Sequence, residues 1–211
     1  NNPTGAQAPR EFLQRAVDLA HEHHFAIVQD FAYAGLGVDA QQISILSLPG
    51  AFDVAVEVCS LSKMYAMAGW RAGFIAGNDD IVSHVKQYHY QMGSMVTSSI
   101  QDAGTAALLS DQSCVAELAE RYASRREIVA GGLHEAGLDV FDSDGGIYAW
   151  VHAPEDQTGE QFADTLLERA AVAALPGTCF GKVGKDYVRF SLLKSEDQLR
   201  EAVRRVAAVL A

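Results

Sequence analysis

The chain has 211 residues, 49% hydrophobic and 20% charged, the composition of a globular protein long enough to bury a sizeable core. Lys and Arg number 16 against 27 Asp and Glu, a formal charge of −11, which argues against a broad nucleic-acid surface or an anionic membrane, since both need clustered cations. No stretch reaches the roughly 18 apolar residues of a membrane span, and Arg15, Asp18 and His21 interrupt the first apolar run where a signal peptide would be continuous.

Pro9 to His24 predicts an amphipathic helix: proline suits a first-turn position, and Phe12, Leu13, Ala16, Val17 and Ala20 recur at helical spacing. Phe25 to Gln29 is a short apolar run that predicts a buried strand, with Asp30 at its C-terminal end. Val54 to Val58 predicts a second strand, ended by Cys59-Ser60-Leu61-Ser62-Lys63, and Ala72 to Gly77 a third. Helices are expected at about Asp79–Met92 and Thr97–Leu109. The alternation is the βαβ rhythm of a layered α/β sheet, in which ligands sit outside the carboxyl ends of the strands, where Asp30 and Lys63 both fall. A long helix from about Val115 to Ala136 reads as a connector. Beyond it, extended runs at Leu138–Phe141, Ile147–His152 and Tyr187–Leu192 interleave with helices near Gly159–Ala171 and Ser195–Leu210, the order of a small α+β domain.

Individually the polar residues say little. A lysine after a strand is ordinarily a solvated end, an aspartate there a cap or turn former. His21, His23 and His24 crowd a helix end, but no acid or cysteine follows at metal spacing, so they read as solvated. Cys59, Cys114 and Cys179 are odd in number and widely spaced, which fits neither a disulfide framework nor a zinc pattern; reduced, cytoplasmic thiols are expected, with Cys59 buried. Trp70 is expected to pack beside Arg71. The informative feature is an ordered set: Asn-Pro-Thr-Gly from Asn2, Asp-x-x-Tyr from Asp30 to Tyr33, Ser-x-Ser-Lys from Ser60 to Lys63, Gly-x-Arg ending at Arg71, and Val-Arg-Phe-Ser around Arg189.

This set, carried by NNPTG (1–5), DFAY (30–33), SLSKMYAMAGWRAGF (60–74) and YVRFS (187–191), resembles the class I/II aminotransferases, fold-type-I pyridoxal-phosphate-dependent enzymes. The run from Pro49 to Phe74 is similar to bacterial diaminopimelate and alanine aminotransferase-like members. The resemblance implies an α/β fold: the C-terminal half of a large cofactor-binding domain over residues 1–114, then a connector helix and small α+β domain over 115–211. It implies pyridoxal 5′-phosphate as cofactor and Lys63 as the catalytic lysine that holds it as a Schiff base and then serves as general base. Asp30 would keep the cofactor's pyridine nitrogen protonated, Asn2 and Tyr33 would bond its phenolic oxygen, and Ser60 and Arg71 would hold its phosphate. Arg189 would grip the substrate α-carboxylate as a bidentate pair. Gly145-Gly146 and the Pro176–Gly181 loop resemble edges of a substrate cleft.

Partners implied are an amino acid, a 2-oxo acid and a second subunit in a homodimer. Family members carry a further large-domain half before the Asn-Pro-Thr-Gly turn, so these residues are expected to belong to a longer protein and to be inactive alone. Two other readings share the motifs: a β-lyase or cyclase-type enzyme on the same scaffold, and an aminotransferase-like effector domain of a transcription regulator.

Overall fold

The computed structural model describes residues 1–37, 42–93 and 95–211. The chain divides into two compact units, one of residues 8–118 and one of residues 1–7 with 119–211.

The first unit opens with helix α1 (Arg10–His23), whose Leu13, Val17 and Ala20 are buried at the predicted spacing. It ends at His24, which adopts the left-handed conformation and returns its N–H to the Ala20 carbonyl. Strand β1 (Ile27–Asp30) follows, then a short helix α2 (Ala51–Val54), strand β2 (Ala55–Ser60), a single helical turn α3 (Leu61–Met64) and strand β3 (Gly73–Gly77). The sheet order is β1-β2-β3. β1 and β2 are parallel, with Asp30 opposite Val58, whereas β3 runs antiparallel to β2, with Gly73 opposite Ser60. The third strand thus departs from the expected βαβ pattern. Only about a dozen residues, coiled into two short turns, join it to β2, too few for a helical crossover, so the chain simply turns back.

Leu13 and Val17 of α1 pack with Ile45, Leu48, Ala51 and Ala55 to form the core of this unit. A fully buried Leu or Val contributes about 1.5–3 kcal/mol, so this small cluster holds α1 to the sheet. On the opposite sheet face Val28 is 63% exposed and Val58 41%, whereas Val56 is fully buried. Helices α4 (Asp79–Gln91) and α5 (Ser98–Leu108) come next, near their predicted limits.

The predicted connector helix begins as α6 (Ser113–Arg126), in which the boundary between units falls, and finishes as α7 (Gly132–Glu135). Between them Glu127–Gly131 is wound as a π-helix, an interruption that periodicity did not predict.

In the second unit β4 (Tyr148–His152), β5 (Leu175–Pro176) and β6 (Tyr187–Ser191) form an antiparallel sheet in the order β4-β6-β5. The expected strand at Leu138–Phe141 reduces to a single bridge, Val140 to Val151. Helices α8 (Gly159–Ala170) and α9 (Glu196–Leu210) each begin with a capping box, Thr158 with Gln161 and Ser195 with Gln198, so the first-turn amides are satisfied reciprocally. Their apolar stripes, with Phe162, Leu166, Leu199 and Val206, cover the sheet face that carries Ala149, Val151, Val188 and Phe190. Strand alternation then sends Tyr148, Trp150, Tyr187 and Arg189 to the other face.

Candidate active site

Five of the seven predicted site residues lie in the first unit, at one end of its sheet. Asp30 is the last residue of β1 and Ser60 the last of β2, and the parallel pairing sets these two carboxyl ends side by side. The pairing continues past Asp30, where the Phe31 amide donates to the Val58 carbonyl at 2.9 Å. Lys63 sits in the turn that leaves β2, and Arg71 is two residues before Gly73, the partner of Ser60, so the antiparallel return brings it to the same end. Tyr33 follows Asp30 in the turn after β1.

Local bonding explains how the lysine turn is held. Ser60 caps it, its hydroxyl accepting from the Ser62 amide at 3.2 Å. Leu61 is buried, packed where Gly104 of α5 leaves room; a Cβ on Gly104 would come within 2.9 Å of the Leu61 side chain. Tyr65 donates to Gln112 Oε1 at 2.6 Å, while Gln112 Nε2 donates to the Ala107 and Leu108 carbonyls at 3.0 and 3.1 Å, tying the lysine turn to the C-terminus of α5. Burial raises the Tyr65 pKa above its ordinary value, although the Gln112 bond opposes it. This Tyr65–Gln112 tie was missed by the sequence reading, because nothing local links positions 47 residues apart.

The return to β3 is strained. Ala66 and Arg71 both adopt φ of 54°, a left-handed conformation that costs a non-glycine residue about 1–2 kcal/mol. Arg71 is exposed and its Nη1 donates to the Ala68 carbonyl at 2.9 Å. Trp70, expected to pack, is 48% exposed, because the turn projects it outward. Cys59 is buried as expected, and burial, reinforced by Glu57, pushes its thiol up to about 11.

Asn2 and Arg189 lie in the second unit. Arg189 Nη1 donates to Asn2 Oδ1 at 2.8 Å. The guanidinium lies 3.8 Å from the centre of the Tyr148 ring and 4.8 Å from that of Phe180, and its Nε is buried without a hydrogen-bond partner among the described residues. Trp150 buttresses this arrangement, stacked on Tyr187 at 5.0 Å and edge-on to Phe180 at 5.7 Å. Such aromatic flanking holds the planar fork in one orientation. Tyr148 was not singled out from sequence, although the aromatic residues alternating along Ile147–His152 were an available signal; Phe180 falls in the Pro176–Gly181 loop that the resemblance set at the edge of a substrate cleft.

The chain matches the family model described as aminotransferase class I and II over residues 1–206. It belongs to that family. It is 44% identical over 207 residues to the L-glutamine–4-(methylsulfanyl)-2-oxobutanoate aminotransferase of Bacillus subtilis (strain 168), covering 98% of this chain and 52% of that protein. It is 41% identical over 216 residues to the glutamate-pyruvate aminotransferase AlaC of Escherichia coli (strain K12), covering 99% of this chain and 52% of the relative. The solved structure of an aminotransferase from Staphylococcus aureus superposes with a TM-score of 0.94 at 36% identity, over 100% of this chain and 56% of that one. The chain therefore spans about half the length of the curated relatives it matches. The family depends on pyridoxal phosphate. Among the described residues, no helix is long and apolar enough to cross a membrane.

Proposed function

We propose that the protein is a pyridoxal-phosphate-dependent aminotransferase that moves an amino group between an amino acid and a 2-oxo acid. The observation that carries this reading is the gathering of Asp30, Ser60, Lys63 and Arg71 at one end of the β1-β2-β3 sheet. Their groups suit the three polar ends of the cofactor: an amine for the aldehyde, a carboxylate for the ring nitrogen, a hydroxyl and guanidinium for the phosphate. When bound, the cofactor supplies the electron sink that makes a substrate Cα proton acidic.

Lys63 would hold the cofactor through its amine and, when that amine is free, would serve as the general base that moves a proton at the substrate Cα. Asp30 keeps the proton on the ring nitrogen. The Tyr33 hydroxyl and the Asn2 amide group donate to the phenolic oxygen. Ser60 and Arg71 bind the phosphate locally, against a net charge of −11. Arg189 receives the α-carboxylate on its terminal nitrogens. The two relatives named above, an L-glutamine–4-(methylsulfanyl)-2-oxobutanoate aminotransferase and a glutamate-pyruvate aminotransferase, support this assignment. A cytoplasmic homodimer belongs to the same proposal, supported by the family resemblance.

The test is borohydride reduction of the full-length protein loaded with pyridoxal phosphate, followed by peptide mapping. The pyridoxyl label is expected on Lys63; a label on Lys86 or Lys182 instead overturns the reading. Stoichiometric keto-acid exchange with an amino donor and 2-oxoglutarate separates transfer from β-elimination.

A further inference from the structure

Arg189 is reached by a segment that is distant in sequence. Asn2 and Arg189 are 187 residues apart, yet the Asn2 carboxamide oxygen is the acceptor that engages Nη1. That engagement depends on how residues 1–7 are seated. The segment is a self-bonded turn: the Gly5 amide donates to the Asn1 carbonyl at 2.9 Å, Thr4 Oγ1 to Asn1 Oδ1 at 3.1 Å, and the Ala6 amide to Thr4 Oγ1 at 3.2 Å. A turn bonded in this way moves as a unit, so whatever holds one end sets the other.

The hold is supplied at Gln7. Its backbone amide donates to Asp144 Oδ2 at 2.9 Å, and its side-chain Nε2 donates to the Asp144 carbonyl at 2.7 Å. Next to this pair Gly5, at φ 74°, lies so close to the 143–145 loop that a Cβ would collide with Ser143 Oγ and Gly145 O. The far side of the loop is pinned by Arg126, whose Nη2 donates to the Gly146 carbonyl at 2.7 Å. Two residues later comes Tyr148, whose ring lies under the Arg189 guanidinium. The loop therefore fixes two partners of the arginine: the Tyr148 face through β4, and the Asn2 amide through the clasped turn.

We propose that Asp144 is a positioning residue for substrate carboxylate recognition, clasping Gln7 so that Asn2 presets the Arg189 fork. The inference rests on the reading of Arg189 given above. Asp144 touches neither substrate nor cofactor in this account; it acts through the turn. A guanidinium held in advance loses less freedom when a carboxylate arrives, and that saving is specific to ligands that carry one. Its loss appears as a weaker preference for ligands that carry the carboxylate, over and above any effect that loosening Asn2 has on both ligands through the cofactor.

The experiment compares the half-reactions of the full-length holoenzyme with L-alanine and with L-alaninamide, followed by cofactor absorbance, in Asp144→Ala, Asp144→Asn and Gln7→Ala variants. In Asp144→Ala the kcat/KM for alanine is expected to fall about three- to tenfold more than that for alaninamide, mostly through KM. Asp144→Asn retains an acceptor for the Gln7 amide and is expected to recover most of the alanine rate. Amide exchange at Gln7 is expected to accelerate in Asp144→Ala while exchange at Phe190 stays as in the unaltered protein. An alanine-to-alaninamide ratio within twofold of the unaltered protein, or equal losses with both ligands, overturns the proposal. Should Asp144→Ala fail to fold, Gln7→Ala, which removes only the side-chain bond, is expected to show the same selective loss, and an unchanged ratio there is equally decisive against it. An unaltered protein that does not distinguish the two ligands overturns the Arg189 assignment and the clasp together; one that does, with insensitive variants, overturns the clasp alone.

Discussion

Asp30 is exposed, and its Oδ1 accepts from the Ala32 amide at 3.2 Å, an interaction whose removal costs no more than about 1 kcal/mol. Its proposed role on the cofactor nitrogen is much larger, since losing a preorganised electrostatic partner typically slows turnover about 10²-fold or more. Asp30→Ala in the full-length protein is therefore expected to leave the unfolding midpoint nearly unchanged while turnover collapses; near-normal turnover would reduce Asp30 to a turn former. Cys59 gives the opposite case, a residue with a perturbed pKa and no role in the chemistry. Burial raises its thiol from 9.0 to about 11, so the folded state favours the neutral form. That contribution is complete below pH 9 and is lost as pH rises toward 11. Alkaline denaturation of Cys59→Ala should accordingly lose part of the slope that the unaltered protein shows in that window, and an identical slope would count against a buried thiol.

At the scale of elements, the lysine turn owes its position to packing as much as to its cap. Leu61 is 4% exposed and fills the space that Gly104 leaves on α5. Leu61→Ala removes that filling and is expected to destabilise the protein by about 2–5 kcal/mol, the range for a buried leucine whose cavity does not collapse. Urea unfolding measures it; a change under 1 kcal/mol would show that the site relaxes. The limits of α1 were legible from sequence through its i, i+4, i+7 apolar positions, whereas the capping boxes that start α8 and α9, Thr158 with Gln161 and Ser195 with Gln198, are local signatures that the sequence reading did not use. The π-turn at Glu127–Gly131 and the shrinkage of the Leu138–Phe141 strand have no such signature. A strand is defined by its partner, and here Val140 finds only Val151.

For the whole molecule, two features bear on what the 211 residues do alone. The chain is about half the length of its relatives, and Val28 and Val58 on one sheet face are exposed, together with Tyr88, Tyr90, Met92, Met95 and Leu109 elsewhere in the first unit. Large exposed apolar surface drives association. The 211-residue chain is expected to self-associate with concentration in sedimentation velocity, to bind pyridoxal phosphate weakly enough to be dialysed away, and to yield no keto acid. Tight stoichiometric binding with turnover would contradict this.

The sequence alone was enough to identify the residue types and to place them at strand ends, because strand runs and helix stripes are local patterns and the lysine block is contiguous. It placed Asp30 and Lys63 outside the carboxyl ends of two strands; that these strands, β1 and β2, are parallel neighbours was decided by the tertiary structure. Only the tertiary structure decided that β3 returns antiparallel to bring Arg71 to that end, and that residues 1–7 join the unit of residues 119–211. Only it seated Arg189 between Tyr148 and Phe180 with Asn2 on its edge. The reason is physical: helices and caps are set by interactions within a few residues, whereas the Asp144–Gln7 and Arg189–Asn2 bonds close chain separations of 137 and 187 residues, and their geometry exists only after the intervening chain has packed.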